Sequence, residues 1–222
     1  MEGLPPEQPM TMMQLNYCVT AAARSYEGVS PLMLKTVVAV EGGQIGTVRK
    51  NKDGSFDLGP MQINTINLPD IAKATGFTAR DLLLDGCKNI KAGAWLLSRH
   101  LKDTDGSYWL AMGNYHSKTP SLRLTYLRKI ADAYRGLIVG IRSGQEEQAI
   151  GRTVNWGRNP RSDSSEVPSL ALLESIIDGT NPKGTPYQAG AIPRTIAKKE
   201  PPRPRVVAIN NQRRTLRFID NE

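Results

Sequence analysis

The strongest constraint on the fold is the apolar segment "SPLMLKTVVAVEGG", which begins at Ser30. Ser30 is a preferred helix N-cap, and Pro31 suits the first helical position because an N–H would be unpaired there anyway. Gly42 and Gly43 predict the end of the helix, since glycine readily adopts the left-handed conformation that closes a helix. The segment therefore predicts a short helix whose apolar face packs into the core of a small domain.

One acidic residue lies on the apolar face of this predicted helix. Leu34, Val37, Val38 and Glu41 follow the i, i+3, i+4, i+7 spacing of one helix face. Burial and the negative end of the helix dipole both favour the protonated form of the Glu41 carboxyl. A carboxyl that stays protonated near neutral pH can act as a general acid. The alternative is a solvated glutamate at a frayed helix end.

A second carboxylate, Asp57, follows sixteen residues after Glu41. It falls in a predicted β-hairpin whose two-residue turn is Asp53-Gly54. Asp57 either pairs with Glu41, as the two carboxylates of a glycosidase do, or stabilises the turn. A calcium-binding loop is excluded, because Phe56 occupies the position where such a loop needs glycine and no glutamate closes it.

Other catalytic schemes find little support in the sequence. It contains no G-x-S-x-G, P-loop or H-E-x-x-H motif, and His100 and His116 are the only histidines. We therefore predict no metal and no cofactor. The stretch "GNYHS" places Asn114, Tyr115 and His116 together at a predicted helix end, where each residue has either a functional or a purely structural role.

The chain changes character near residue 141. From Met13 to Val139 it reads as a succession of short amphipathic helices, whereas residues 141–222 contain eight of the 15 prolines. We predict a mainly α, α+β fold: a flexible N-terminus (1–12), a compact helical domain with a small β-hairpin (13–140), and a largely disordered, basic, Pro-rich tail (141–222). Besides the helix that follows Ser30, helices are predicted at 13–28, 67–73, 78–84, 89–101, 108–115 and 121–134, and "VPSLALLESIID" is one further candidate in the tail.

Charge and cysteine content restrict the class of protein only loosely. The formal net charge of +8 favours anionic partners without choosing among them. No apolar run reaches the ~20 residues of a transmembrane helix, and the start lacks the features of a signal peptide. Cys18 and Cys87 have no metal-type or redox-type spacing, so they are either two thiols or a disulfide, which would stabilise the fold by about 4 kcal/mol.

Five segments together resemble one known family. They are helix one with Cys18, "SPLMLKTVVAVEGG", "DLGPMQIN", "DGCKNIKAGAWLL" and "YWLAMGNYHS". In this order they are similar to the motifs of the lysozyme-like lytic transglycosylases, above all the small ones that accompany conjugation, type IV secretion and related envelope machines. The resemblance covers residues 15–134 and does not cover the tail.

The resemblance implies a function for Glu41. It would be the catalytic acid and then the base that cleaves the MurNAc-β-1,4-GlcNAc bond of peptidoglycan and forms a 1,6-anhydro ring. Because the C6 hydroxyl of the sugar replaces water in that reaction, Asp57 would have only a supporting role.

The resemblance also implies the substrate-binding residues. Gly59, Met61 and Gln62 match the part of the family motif that lines the glycan groove, and Asn64 is a further candidate for it. Tyr115 matches the tyrosine that orients the catalytic glutamate. Two positions depart from the common family pattern: Gly42 replaces a serine, and Asn114-Tyr115-His116 replaces Ala-Tyr-Asn.

Further expectations concern the compartment and the partners. The resemblance implies a Cys18–Cys87 disulfide and a periplasmic location. The lack of signal-peptide features at the start conflicts with that location, and export by another route or an upstream start would resolve the conflict. The alternatives are a lysozyme-type hydrolase and a non-catalytic adaptor that binds peptidoglycan or nucleic acid. Nucleic acid is not expected, because Trp156, Tyr187 and Phe218 are too far apart to form a stacking platform. The tail is expected to bind a protein of the envelope machine, and the cluster Arg213–Arg217 is expected to be solvated.

Overall fold

The computed structural model describes residues 4–153. This part of the chain is mostly helical with one small antiparallel sheet, which confirms the predicted fold class. Its elements are α1 (Met12–Ser25), α2 (Pro31–Glu41), β1 (Val48–Lys50), β2 (Phe56–Leu58), β3 (Ile63–Asn64), a 3-10 turn (Thr65–Asn67), α3 (Leu68–Thr75), α4 (Ala79–Leu84), α5 (Gly86–Asp103), α6 (Tyr108–His116), α7 (Pro120–Ser143) and α8 (Glu146–Thr153).

Helix α2 forms as the sequence predicts. The Ser30 hydroxyl accepts a hydrogen bond from the Met33 N–H at 3.1 Å, and Pro31 occupies the first position. Gly42 closes the helix with a φ of 63° and donates its N–H to the Val38 carbonyl at 3.0 Å. Gly43 has a different role: a Cβ there would lie 2.1 Å from the Gly59 carbonyl oxygen, so its glycine allows close packing of the segment after α2.

The sheet contains one more strand than the hairpin predicted from the sequence. β1 pairs with β2, with Arg49 opposite Asp57, and β3 pairs with the other edge of β2. The β1–β2 loop is also longer than a two-residue turn, because Asn51 donates its N–H to the Ser55 carbonyl at 2.8 Å. The Asp53 carboxylate accepts from both the N–H and the hydroxyl of Ser55, which stabilises this longer loop.

Helix α5 is the central helix of the described domain. It packs against α1, α2, α3, α4, α6 and β3, and residues from all these helices contribute to one hydrophobic core. Cys18 of α1 and Cys87 of α5 form a disulfide, which confirms the pairing that the resemblance implies. The bond fixes α1 against the helix that most of the other elements contact.

Both ends of the domain differ from the prediction. The N-terminal segment, predicted to be flexible, packs onto the domain: Gln8 and Ile45 exchange two backbone hydrogen bonds, and Met10 is buried against Gly86. At the other end, α7 continues past the predicted boundary at Gly140. No local sequence pattern predicts this packing, since it depends on contacts with residues far away in the chain.

Helix α8 folds back onto α2 and α7. Lys35 of α2 forms an ion pair with Glu146 at 2.5 Å, and the missing side chain of Gly140 makes room for Ala149. The described helices therefore extend beyond the predicted domain end. The segment "VPSLALLESIID" and all of the predicted tail after residue 153 lie outside the described residues. Within residues 4–153, no helix combines the length and the apolar character needed to cross a membrane.

Candidate active site

A polar cavity of about 200 Å³ lies where the C-terminal end of α2 faces the sheet. Its lining comes from α2, the sheet and its loops, α5 and α6. The lining residues are Glu41, Asn51, Asp57, Gln62, Ile63, Asn64, Asn67, Leu96, Tyr115 and His116. Most of the candidate residues from the sequence therefore meet at one place, although they come from three separate segments.

The Glu41 carboxyl has the electrostatic properties of a general acid. Burial is the main cause that raises its pKa to about 7, and the nearby Asp57 carboxyl raises it further. A hydrogen bond from the Tyr126 hydroxyl to Glu41 Oε1, 2.6 Å long, opposes this rise, as do the charges of Arg49 and Lys129. Near neutral pH a large fraction of the protein therefore holds a proton on Glu41.

Arg49 connects the end of α2 to the sheet. Its guanidinium donates to the backbone carbonyls of Glu41, at 3.2 Å, and Gly42, at 3.4 Å. These carbonyls carry the negative end of the helix dipole, so a cation is favourable there. Because Arg49 lies on β1 opposite Asp57, it also fixes the position of α2 relative to the strand that carries the second carboxyl.

The tyrosine that contacts Glu41 is Tyr126, and the expected contact from Tyr115 is not formed. Tyr115 instead donates its hydroxyl to the Met61 carbonyl at 2.8 Å. Tyr126 is only 4% exposed, and its ring stacks on His116 with the centroids 4.6 Å apart. The sequence signal that we missed is the helical spacing of Tyr126 with the buried residues Ile130, Ala133 and Leu137.

Asp57 lies beside the amides of Asn51 and Asn64, which line the same cavity. The amides of Asn51 and Asn64 lower the pKa of its carboxylate, but burial has the larger effect and the net shift is upward. The two amides also contact the Ser55 hydroxyl at 3.1 and 3.0 Å. Asp57 thus lines the same cavity as Glu41, in polar surroundings.

Gln62 combines a rare backbone conformation with an unpaired polar atom. Its φ is 47°, a region that non-glycine residues adopt only at some cost. Its Nε2 donates to the Gly59 carbonyl at 2.7 Å, whereas its Oε1 is buried and has no partner among the described residues. Gln62 lines the cavity, and this oxygen can accept a hydrogen bond from a ligand.

Two residues expected in the groove lie behind the cavity. Met61 is fully buried, and its side chain occupies the space that a Cβ on Gly93 would need. Gly59, with a φ of 66°, packs against Asn89, where a Cβ would lie 2.4 Å from the amide nitrogen. Neither residue lines the cavity.

Asn89 is an organising residue that the sequence did not reveal. Its amide oxygen accepts from the Met61 N–H, and its amide nitrogen donates to the carbonyls of Leu58 and Leu82, each at 2.8 Å. An asparagine within a helix gives no sequence signal that separates such a buried bridge from an exposed position.

The remaining candidates have other surroundings. Asn114 accepts a hydrogen bond from Arg123 at 3.0 Å and does not line the cavity, whereas His116 does. Among residues 4–153 there is no cluster of three or more His, Cys, Asp or Glu side chains that could hold a metal ion.

Comparison with known proteins gives the family of this chain. Residues 18–124 match the family model described as the transglycosylase SLT domain. Invasion protein IagB of Salmonella typhimurium (strain LT2) is 38% identical over 96 residues, which cover 41% of this chain and 59% of the relative. The chain thus spans less than two thirds of the length of that relative.

Two relatives from Escherichia coli are covered more fully. A peptidoglycan-binding-like protein from strain O157:H7 is 35% identical over 121 residues, or 49% of this chain and 71% of the relative. A putative peptidoglycan-binding-like protein from strain K12 is 31% identical over 110 residues, or 46% of this chain and 68% of the relative. The chain therefore belongs to the transglycosylase SLT domain family.

Proposed function

We propose that this protein is a peptidoglycan lytic transglycosylase that cleaves the MurNAc-β-1,4-GlcNAc bond and forms 1,6-anhydroMurNAc. The observation that carries the proposal is the buried Glu41 carboxyl, its pKa raised to about 7, in a polar cavity of otherwise mostly uncharged residues. The family supports the reaction class, and the names of the two Escherichia coli relatives support peptidoglycan as the substrate.

In the proposed reaction, Glu41 donates one proton and then accepts another. The protonated carboxyl donates to the glycosidic oxygen while the bond from that oxygen to C1 of MurNAc breaks. The C6 hydroxyl of the same sugar then attacks C1, and the Glu41 carboxylate takes up the hydroxyl proton. Glu41 returns to its starting form, and no water is consumed. The hydrogen bond from Tyr126 and the unpaired Gln62 oxygen support this assignment, since one holds the carboxyl and the other can orient a sugar amide or hydroxyl.

A hydrolase of the lysozyme type is the second candidate, and one observation favours it. Asp57 lines the same cavity as Glu41, held by Asn51 and Asn64, as a second carboxylate in a glycosidase would be. The two candidates differ in the group that attacks C1: the C6 hydroxyl in one, and water or Asp57 in the other.

The decisive experiment is mass spectrometry of the products released from purified sacculi. The proposal expects muropeptides that end in 1,6-anhydroMurNAc, which are lighter than the hydrolytic products by one water molecule. Products with only a reducing-end MurNAc would overturn the proposal in favour of the hydrolase. Asp57→Asn sharpens the test: transglycosylation should lose less activity than with Glu41→Gln, whereas a two-carboxylate mechanism should lose a similar amount.

The biological setting is part of the proposal. We infer that the enzyme acts in the periplasm and opens the cell wall locally for the assembly of a conjugation or secretion apparatus. The motif resemblance supports a link to an envelope-spanning machine, and one relative is named an invasion protein. A non-catalytic adaptor would keep binding sacculi but release nothing, so the same digest also tests that alternative.

A further inference from the structure

A second cleft, of about 300 Å³, lies at the opposite end of α2 from Glu41. Helices α2, α6 and α7 form it, and its lining residues are Ser30, Leu32, Met33, Tyr108, Trp109, Met112 and Tyr134. None of these residues is charged, although the whole chain carries a net charge of +8. The cleft therefore suits a neutral ligand better than an anionic one.

The cleft presents aromatic rings that are both exposed and fixed. Trp109 and Tyr108 are 46% and 49% exposed, so a large part of each ring is accessible to a ligand. The ring of Tyr134 meets that of Trp109 edge to face, with the centroids 5.6 Å apart and the planes at 69°. This contact holds the indole in place, so the site loses little side-chain freedom when a ligand binds.

The rim of the cleft has hydrogen-bonding groups that find no partner in the part of the chain that the structure describes. Among residues 4–153, no hydrogen bond occupies the hydroxyls of Tyr108 and Tyr134 or the indole N–H of Trp109. The floor, in contrast, is apolar and contains Met33 and Met112. A ligand that fits both parts has an apolar face and several hydroxyl or amide groups around its edge.

We propose that this cleft binds an N-acetylated hexosamine of a glycan strand, outside the cavity that contains Glu41. The C–H face of the sugar ring packs on Trp109, the acetyl methyl group contacts the methionines, and the sugar hydroxyls pair with the rim. An apolar peptide side chain would fill the floor but leave all three rim groups unpaired. The choice of an N-acetylated sugar rests on the proposed function. The amphipathic character of the ligand rests only on the lining of the cleft.

The position of the cleft suits a role in holding a polymer. Met33 and Glu41 are eight residues apart on α2, and so are Tyr134 and Tyr126 on α7, which corresponds to about 12 Å along each helix. The buried residues of α2 and α7 separate the two sites. A glycan held at the cleft would keep the enzyme on the cell wall while another segment occupies the cavity.

Binding can be tested directly with the full chain carrying Glu41→Gln, which prevents turnover. We expect that titration with the GlcNAc tetramer shifts the indole NMR signal of Trp109, identified by its loss in Trp109→Phe. This shift should saturate separately from the signals of cavity residues such as His116. A Trp109 signal that stays unchanged while the cavity signals saturate would overturn the proposal.

The second test measures retention on sacculi. In the Glu41→Gln background, Trp109→Leu or Tyr134→Leu should weaken binding by about threefold to tenfold, because each removes an aromatic contact. Tyr17→Leu is the matched control: Tyr17 is 72% exposed on α1 and lines neither site. Unchanged retention by folded cleft variants would contradict the proposal. If both variants fail to fold, the NMR titration decides.

The two proposals can fail separately. A wild-type chain that releases no muropeptides, but whose Trp109 signal shifts with the GlcNAc tetramer, would overturn the proposed function and keep the cleft as a sugar site. A chain that releases anhydro products, but whose Trp109 signal does not move, would overturn the cleft alone.

Discussion

The cavity and the layer directly behind it use the same segment of chain in opposite ways. Within residues 57–64, Asp57, Gln62 and Asn64 face the cavity, whereas Gly59 and Met61 are buried behind it. The cavity side keeps a carboxyl with a raised pKa and a buried oxygen without a partner, both of which reduce stability. The supporting layer, defined here as Gly43, Gly59, Met61 and Asn89, is closely packed and hydrogen-bonded. Changes on the cavity side should therefore affect activity, and changes in the supporting layer should affect stability first.

The largest expected effect on the cavity side comes from Glu41→Gln. The amide keeps the volume of the side chain but cannot donate and then accept a proton, so lysis of sacculi should fall by about 10²- to 10⁴-fold or more. Turbidity of a sacculus suspension measures this loss, and circular dichroism should show an unchanged fold. Full activity of the variant would remove Glu41 from the mechanism.

The matching change in the supporting layer is Asn89→Ala. It leaves one N–H and two carbonyls without their partner in a buried region, so the free energy of unfolding should fall by about 2 to 4 kcal/mol. Urea denaturation gives the value. Asn67→Ala is the control, because Asn67 lines the cavity without capping the helix that follows it, and its replacement should cost less than about 0.5 kcal/mol. Equal losses would contradict the distinction between the two regions.

Because the pKa of Glu41 is raised in the folded protein, the free energy of unfolding should depend on pH. Below pH 4.5, both the folded and the unfolded chain hold the Glu41 proton. Between pH 4.5 and about 7, the folded chain keeps a proton that the unfolded chain releases, so stability declines as pH rises, by a total of about 3 kcal/mol. Glu41→Gln has no such proton.

The stability of Glu41→Gln relative to the wild type should therefore increase from pH 4.5 to pH 8. Urea denaturation of both proteins at the two pH values measures this difference. A difference that does not change with pH would mean that the Glu41 carboxyl is not desolvated in the folded protein.

The smallest expected effect separates the two tyrosines. Tyr126→Phe removes the hydrogen bond that lowers the pKa of Glu41, so the alkaline limb of the pH–activity profile should move to higher pH. The lost hydrogen bond should also cost about 1 kcal/mol of stability. In Tyr115→Phe the limb should stay in place, because Tyr115 bonds to the Met61 carbonyl in the supporting layer. A shift of the limb in Tyr115→Phe alone would reverse these two assignments.

The sequence predicted most helices and the location of Glu41 well, and the close contacts less well. The bounds of α2, the position of Glu41 and the disulfide were confirmed, because capping residues, helical periodicity and a family motif are local signals. The third strand was missed because two residues show no periodicity. The partner of Glu41 was assigned to Tyr115 instead of Tyr126, because a motif match does not indicate where a hydroxyl points.

The sequence by itself determined where most of the helices lie and where α2 begins and ends. It also determined that one acid lies on an apolar helix face and which segments carry the polar candidates. Only the tertiary structure decided which residues of the segment 57–64 face the cavity and which face the core. It also brought Tyr126 to Glu41, across 85 positions of sequence, and packed α8 onto α2. The physical reason is that caps and periodicity depend on residues within a few positions of each other. Burial, hydrogen-bond partners and the resulting pKa of Glu41 depend instead on groups that come together only when the whole domain has folded.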